Sequence, residues 1–296
     1  MRRLGGVAAA AVLALAGQAW ANRNDFRVHQ LGNPADRPEA NADFRAFARE
    51  LGAGLSSVTL APPETLGYSG FNVNLELSAV SFDTSAVRFP TERAFRSPLL
   101  LPSLHVRKGL PWSFELGARL AWIEESRMFA PTAELKWAVA EGYPYIPDIG
   151  IRVHGTRLLN ARDFDLTVLG VDLSLGKEFA VGGAATLTPY AGWNLVWVGA
   201  TSNNIDFNPG RTEQEATATP IAQLTDTGVY DSLSLSNNGH SRFYAGLRFI
   251  TGIFQLGAEF SYANLGRIRV ATSEGTARER NLPSVFALNT SVGLNF

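Results

Sequence analysis

From residue 70 to its last residue the chain alternates apolar with polar or small side chains, and this period of two limits its possible folds more than any other feature. In "GFNVNLELSA" Phe71, Val73, Leu75 and Leu77 share one face, and Asn72, Asn74, Glu76 and Ser78 the other. In "PWSFELGARLAW" Trp112, Phe114, Leu116, Ala118, Leu120 and Trp122 oppose Ser113, Glu115, Gly117 and Arg119. The same pattern returns near 127–140, 146–157, 165–178, 186–200, 241–251 and 254–265. With the less regular 98–108 and the terminal 284–296, this predicts about ten strands of roughly ten residues, the length a tilted strand needs to cross a bilayer. "GVYDSLSLS", inside 201–240, could add a hairpin and raise the count to about twelve.

Alternation alone fits a soluble barrel as well as a membrane one, and the charges decide between them. Glu76, Glu115, Glu134, Asp172 and Glu259, with Arg119, Lys136, Arg152 and Arg248, lie opposite large aliphatic and aromatic side chains on the same strands. A soluble β-protein turns its apolar face inward; a membrane barrel reverses this, with aromatic girdles at the lipid boundaries, which Trp112 and Trp122 fit. The expected fold is therefore all-β: a closed antiparallel transmembrane β-barrel. Five acidic against four basic residues, with His154 a further cation when protonated, predict ion pairs across a narrow lumen rather than a wide sieving pore.

The ends support export to an envelope. "MRRLGGVAAAAVLALAGQAWAN" has a basic start, an apolar run too short to span a bilayer, and Ala19-Trp20-Ala21 before Asn22, so residues 1–21 read as a cleaved signal peptide. At the other end Phe286, Leu288, Thr290, Val292, Leu294 and Phe296 form one apolar row. This row resembles the C-terminal strand signature of bacterial outer-membrane β-barrels. The resemblance implies an outer membrane of a Gram-negative bacterium, contact with its lipid and lipopolysaccharide, barrel closure by the last strand against the first, and recognition of that strand by the assembly machinery. With both termini in the periplasm, the turns "KGLPW", "AEGYP", "EFAVGG" and "TGI" are internal and short. The external loops 83–97, 123–127, 158–163, 201–240 and 266–283 then include every long one.

Residues 22–69 differ from the 70–296 barrel. "RVHQLGNPADRPEANA" is turn-rich. "NADFRAFARELGAGL" follows, with Phe44, Phe47, Ala48, Leu51 and Leu55 on one helical stripe, Asn41 as a candidate cap, and Gly52 and Gly54 near its end. The expected place of this short helix is the periplasmic mouth or the lumen, as filling or as a movable plug. "LGNPA" ahead of the strands is distantly similar to FadL-type transporters of hydrophobic compounds.

Little in the chain points to chemistry. It has no cysteine, and its net charge of −1 offers no basic face for nucleic acid. Ser103 and His105 share a face but precede the internal turn at 109–112, away from outer-leaflet substrates. His240 and Ser241 point to opposite faces, His154 has no serine beside it, and His29 lies in the irregular segment. No catalytic residue, metal or cofactor is expected; "SNNIDFNPG" carries one carboxylate where calcium would want several oxygens.

Toward the loop end the inner face turns apolar, at Val80, Phe82, Leu99, Leu101, Ile123, Val196 and Val198. Either external loops fold onto this collar, or it is a pocket for a greasy ligand. The function expected is a narrow passive channel or small-molecule transporter, hydrophobic compounds among its cargoes. The alternative is a non-conducting structural or adhesive barrel acting through loop 201–240.

Overall fold

The computed structural model describes residues 23–209, 227–271 and 276–296. The expected signal peptide at 1–21 and part of loop 201–240 lie outside them. Ten long strands form the barrel: β1 Phe71–Ser81, β2 Leu99–Leu110, β3 Phe114–Trp122, β4 Phe129–Ala140, β5 Asp148–Arg157, β6 Phe164–Gly176, β7 Ala185–Ser202, β8 Gly239–Thr251, β9 Phe254–Asn264 and β10 Val285–Asn295. Each pairs antiparallel with its neighbours in sequence. The ring closes between β1 and β10, from Asn72 opposite Asn295 to Ser81 opposite Phe286. Phe296 extends this seam, exchanging main-chain hydrogen bonds of 2.9 and 2.8 Å with Phe71. Closure leaves no row of unpaired amides, which hydrocarbon would penalise by several kcal/mol apiece.

The twelve-stranded alternative is not formed. Thr227–Gly228 pairs with Ile205–Asp206 in a separate two-stranded ladder, and Leu233 bridges Ala200 outside the barrel sheet. A further hairpin, Arg267–Ala271 with Ala277–Asn281, stands off the β9–β10 loop. One short strand, Phe179–Val181, lengthens the edge of β7 at the turn.

Two boundaries depart from the alternation. Trp112 and Ser113 have positive φ, 58° and 61°, and belong to the turn before β3. The period of two therefore breaks at Trp112, which is 86% exposed at the turn rather than part of the strand row. The strand at 98–108 looked irregular because its inner face changes character midway: Leu99 and Leu101 give way to Ser103, His105 and Arg107, all buried.

The barrel is inside-out relative to a soluble protein. Leu75, 61% exposed, and Leu116, Leu120, Leu173, Leu247, Leu256, Phe260, Leu288 and Val292 face outward, while the charged alternate residues are buried inside. This suits a barrel surrounded by hydrocarbon. Short connections at 111–113, 141–147, 177–184 and 252–253 gather at one end, the turn end; the long connections gather at the loop end.

The N-terminal segment threads the lumen from one end to the other. Residues 23–27 are stitched to the loop end, Asn24 N bonding Glu125 O at 3.1 Å and Arg27 N bonding Pro90 O at 2.5 Å. Helix α1, Glu39–Leu55, fills the loop half of the lumen, and an extended stretch then descends to Gly70 and β1. The expectation that both ends of the mature chain lie at the turn end is thus corrected for residue 23. The apolar stripe of α1 matches the apolar loop half, so the segment has to start there and run down to reach β1. Asn41 does not cap the helix, which begins at Glu39 after Pro38; its Oδ1 instead accepts from Asp231 N at 2.9 Å.

Candidate functional site

The lumen holds two layers, each lined by the inward alternate residues of the strands. In the loop half all seven collar residues, Val80, Phe82, Leu99, Leu101, Ile123, Val196 and Val198, are buried in one apolar cluster with Phe44, Phe47, Leu51 and Leu55 of α1. Neither a folded-down loop alone nor an empty pocket covers the collar; the helix does. A Cβ on Gly52 would come within 2.6 Å of Val198 Cγ1, and one on Gly54 within 2.6 Å of Phe82 Cζ, so these glycines permit the close approach. Phe47 meets Phe26, Phe89 and Phe164 edge-on, and Phe44 stacks on Tyr230 at 4.8 Å. Tyr230 in turn donates to Val28 O and Gly32 O, tying the long loop to the start of the segment.

One residue of α1 is out of keeping. Glu50 is fully buried, and neither of its carboxylate oxygens has a hydrogen-bond partner among the described residues. Burial, reinforced by Asp83 and opposed by Arg280, pushes its carboxyl up to about 8. Arg49 beside it is bonded through its two terminal nitrogens, donating to Leu265 O at 2.5 Å and Arg267 O at 3.2 Å, while its Nε is buried with no partner among the described residues.

In the turn half a chain of charges runs around the wall. Arg119 Nε donates to Glu76 at 2.8 Å. His105 sits between Glu76 and Glu134, at 2.8 Å from Nδ1 and 2.9 Å from Nε2. Arg152 joins Glu134 at 2.6 Å to Asp172 at 2.9 Å, and Lys136 pairs with Glu115 at 3.1 Å. Seven of the nine lumen charges expected from the sequence are thereby brought into mutual pairs. Arg248 and Glu259 are not: Arg248 pairs with Glu64 of the threaded segment, and Glu259 accepts from Leu60 N and Tyr190 OH.

The sequence reading passed over Arg107, Arg242 and the bridging role of His105, although their parity within β2 and β8 already marked them as inward. Arg107 and Arg242 are buried on the same wall, and Glu64 of the segment adds an acid beside Arg248. The segment is held mainly by its backbone. Arg242 donates to Ser56 O and Ser57 O, Arg152 to Ser57 O and Val58 O, and Lys136 to Pro62 O and Glu64 O. Such charge-assisted bonds contribute about 1.5–3 kcal/mol apiece.

Catalytic and metal geometry can be read directly. Ser103 Oγ faces Glu76 at 3.4 Å, while both ring nitrogens of His105 are engaged by carboxylates. His154 bonds Asn194, and among the described residues His240 has no partner for either ring nitrogen. Among the described residues no three His, Cys, Asp or Glu side chains gather as metal ligands. In the 202–210 loop Asp206 caps its own turn, accepting from Asn208 N at 2.9 Å.

No protein-family model and no curated protein matches the chain. Among solved structures it is similar to the β domain of the Bordetella autotransporter BrkA, at 12% identity and a TM-score of 0.36 over 76% of this chain and 98% of that one. It is also similar to the N-terminal barrel of Pseudomonas aeruginosa OprF, at 12% identity and a TM-score of 0.29 over 78% and 99%. Outer membrane protease OmpT of Escherichia coli matches at 11% identity and a TM-score of 0.25 over 82% and 99%. Likenesses at these scores add nothing to the barrel described above. The FadL-type resemblance, drawn from "LGNPA" and a segment ahead of the strands, is not shown; "LGNPA" here forms a turn, with Leu31 buried, Gly32 at φ 92° and Asn33 Oδ1 accepting from Ala35 N.

Proposed function

We propose that this chain is an integral outer-membrane barrel of a Gram-negative bacterium, closed at rest by residues 23–66 and working as a plugged passage for polar solutes. The observation that carries this is a lumen filled along its length by a segment outside the barrel sheet, with charged walls around the lower part of that segment. Buried ion pairs are seldom more stabilising than well-packed apolar side chains. A permanently solid barrel would be served as well by the apolar packing of its loop half. A charged wall is useful if the segment moves and water takes its place. With the collar filled by α1, cargo of polar character fits the wall better than the hydrophobic compounds expected from the sequence, and no catalytic role is assigned.

The outward apolar band would contact outer-membrane lipid, with lipopolysaccharide at the loop end. The row Phe286, Leu288, Val292, Leu294 and Phe296 would be read by the assembly machinery; loss of surface protein on deleting Phe296 tests that role. Planar-bilayer recording tests the passage. The intact mature chain should be silent, and Glu64→Lys, which sets a cation against Arg248, should give discrete openings. A folded Glu64→Lys barrel as silent as its parent would sink this reading and favour the structural or adhesive barrel.

A further inference from the structure

The bonds that hold residues 56–66 have a chemical pattern. Arginine and lysine of the wall take carbonyls: Ser56 O at 3.1 Å and Ser57 O at 2.5 Å from Arg242, Val58 O at 3.1 Å from Arg152, and Pro62 O at 3.2 Å and Glu64 O at 2.8 Å from Lys136. Carboxylates take amides: Leu60 N gives to Glu259 at 2.9 Å, Thr65 N to Glu141 at 2.8 Å and Leu66 N to Glu115 at 3.2 Å. Both signs of charge are thus matched to main-chain groups that every peptide carries. Few side chains of the segment are read: Ser57, Thr65 and the counter-ion Glu64.

The wall is also smooth where the backbone passes. A Cβ on Gly150 would lie 3.0 Å from Pro63 Cα, and one on Gly176 would lie 2.7 Å from Pro63 Cδ. Further polar capacity is left over. Glu259 Oε1, Asp172 Oδ1, Ser291 Oγ and both ends of the Asn289 amide are buried with no partner among the described residues. Buried polar atoms are ordinarily satisfied, so these spare groups offer bonds that the resident segment does not use.

We infer that the turn half of the lumen is a binding site for an extended peptide, recognised through its main chain and occupied in cis by residues 56–66. This rests on the passage reading above and gives the passage its ligand class: extended polypeptide of loose sequence requirement with an acidic side chain near its C-terminal end, where Glu64 meets Arg248. The amides and carbonyls of such a peptide replace those of the resident segment bond for bond.

The test uses the full mature chain carrying Glu64→Lys, with Glu64→Ala in its place if the first does not fold, as judged by heat-modifiable gel mobility. Three fluorescent peptides are titrated in detergent: a copy of wild-type residues 56–66, the same residues scrambled with Glu and both Pro kept in place, and the copy N-methylated at the amides matching Leu60, Thr65 and Leu66. Copy and scramble should bind within threefold of one another, and the methylated peptide at least tenfold more weakly. No saturable binding, or a copy more than tenfold tighter than the scramble, overturns the inference. Bilayer recording of the same variant separates the two readings. Openings without peptide binding retire the peptide site and keep the passage, binding in a silent barrel keeps the site and retires the passage, and silence without binding retires both.

Discussion

The two halves of the lumen hold one continuous segment by different physical means. In the loop half, α1 is packed as a protein core is packed, through Phe44, Phe47, Leu51 and Leu55 against an apolar collar. Its hold is non-directional and grows with apolar area at about 25 cal/mol per Å². In the turn half the segment is extended, and its backbone is hydrogen-bonded by Arg152, Arg242, Lys136 and three carboxylates. That hold is directional, costly to break at one partner, and easily replaced by water if the whole segment leaves. In the passage proposed above, this difference would make the turn half the reversible part and the loop half the anchor.

The largest effect that could break this comparison belongs to Arg152. Arg152→Ala strands Asp172 and releases Val58 O, and leaves Glu134 to His105 and Ser57 O to Arg242 alone. Removing one member of a buried ionic network should cost about 3–5 kcal/mol, read as the shift in urea unfolding in micelles. A loss within about 0.5 kcal/mol, the size of an ordinary surface change, would mean that the turn half is already hydrated and that the contrast between halves is false.

A smaller effect is expected in the anchor. Gly52→Leu forces a side chain against Val198 and should cost about 1–3 kcal/mol by overpacking. Limited proteolysis should then cut within residues 23–66 while the barrel keeps its heat-modifiable mobility. If that segment stays as protected as in the parent, α1 is not the anchor.

A further effect in the anchor concerns pH. Glu50 carries a carboxyl raised from 4.5 to about 8 by burial first and Asp83 second, with Arg280 opposing. Between those values the seated helix keeps a proton that the released helix gives up, so the seated state loses stability as pH rises from about 4.5 to about 8 and changes no further above it. Proteolysis of the segment should quicken across that window by at least tenfold, each tenfold being about 1.4 kcal/mol, and Glu50→Gln should flatten the dependence. A flat profile in the parent would show Glu50 to be hydrated, and the anchor less dry than its packing indicates.

Parity along single strands made much of the barrel legible. It placed Glu76, Glu115, Glu134, Asp172 and their basic partners on the inner face, and Leu75, Leu247 and Leu288 outside, because side-chain direction in a strand is a local property of the backbone. It failed at Trp112, where a positive-φ turn interrupts the period, and it passed over Arg107 and Arg242, whose parity was readable but whose partners were not.

By itself, then, the sequence determined a barrel of about ten strands, with twelve left open, the two faces and the grouping of long loops at one end, all consequences of period and spacing. Only the tertiary structure decided what fills the barrel. Leu60 meets Glu259 and Glu64 meets Arg248 across 199 and 184 residues of chain. Such pairings depend on how the ring closes and on the path of a segment that belongs to no strand, and neither leaves a trace in the local alternation. The same holds for the start of that segment, which lies at the loop end because the apolar side chains of α1 find their match only there.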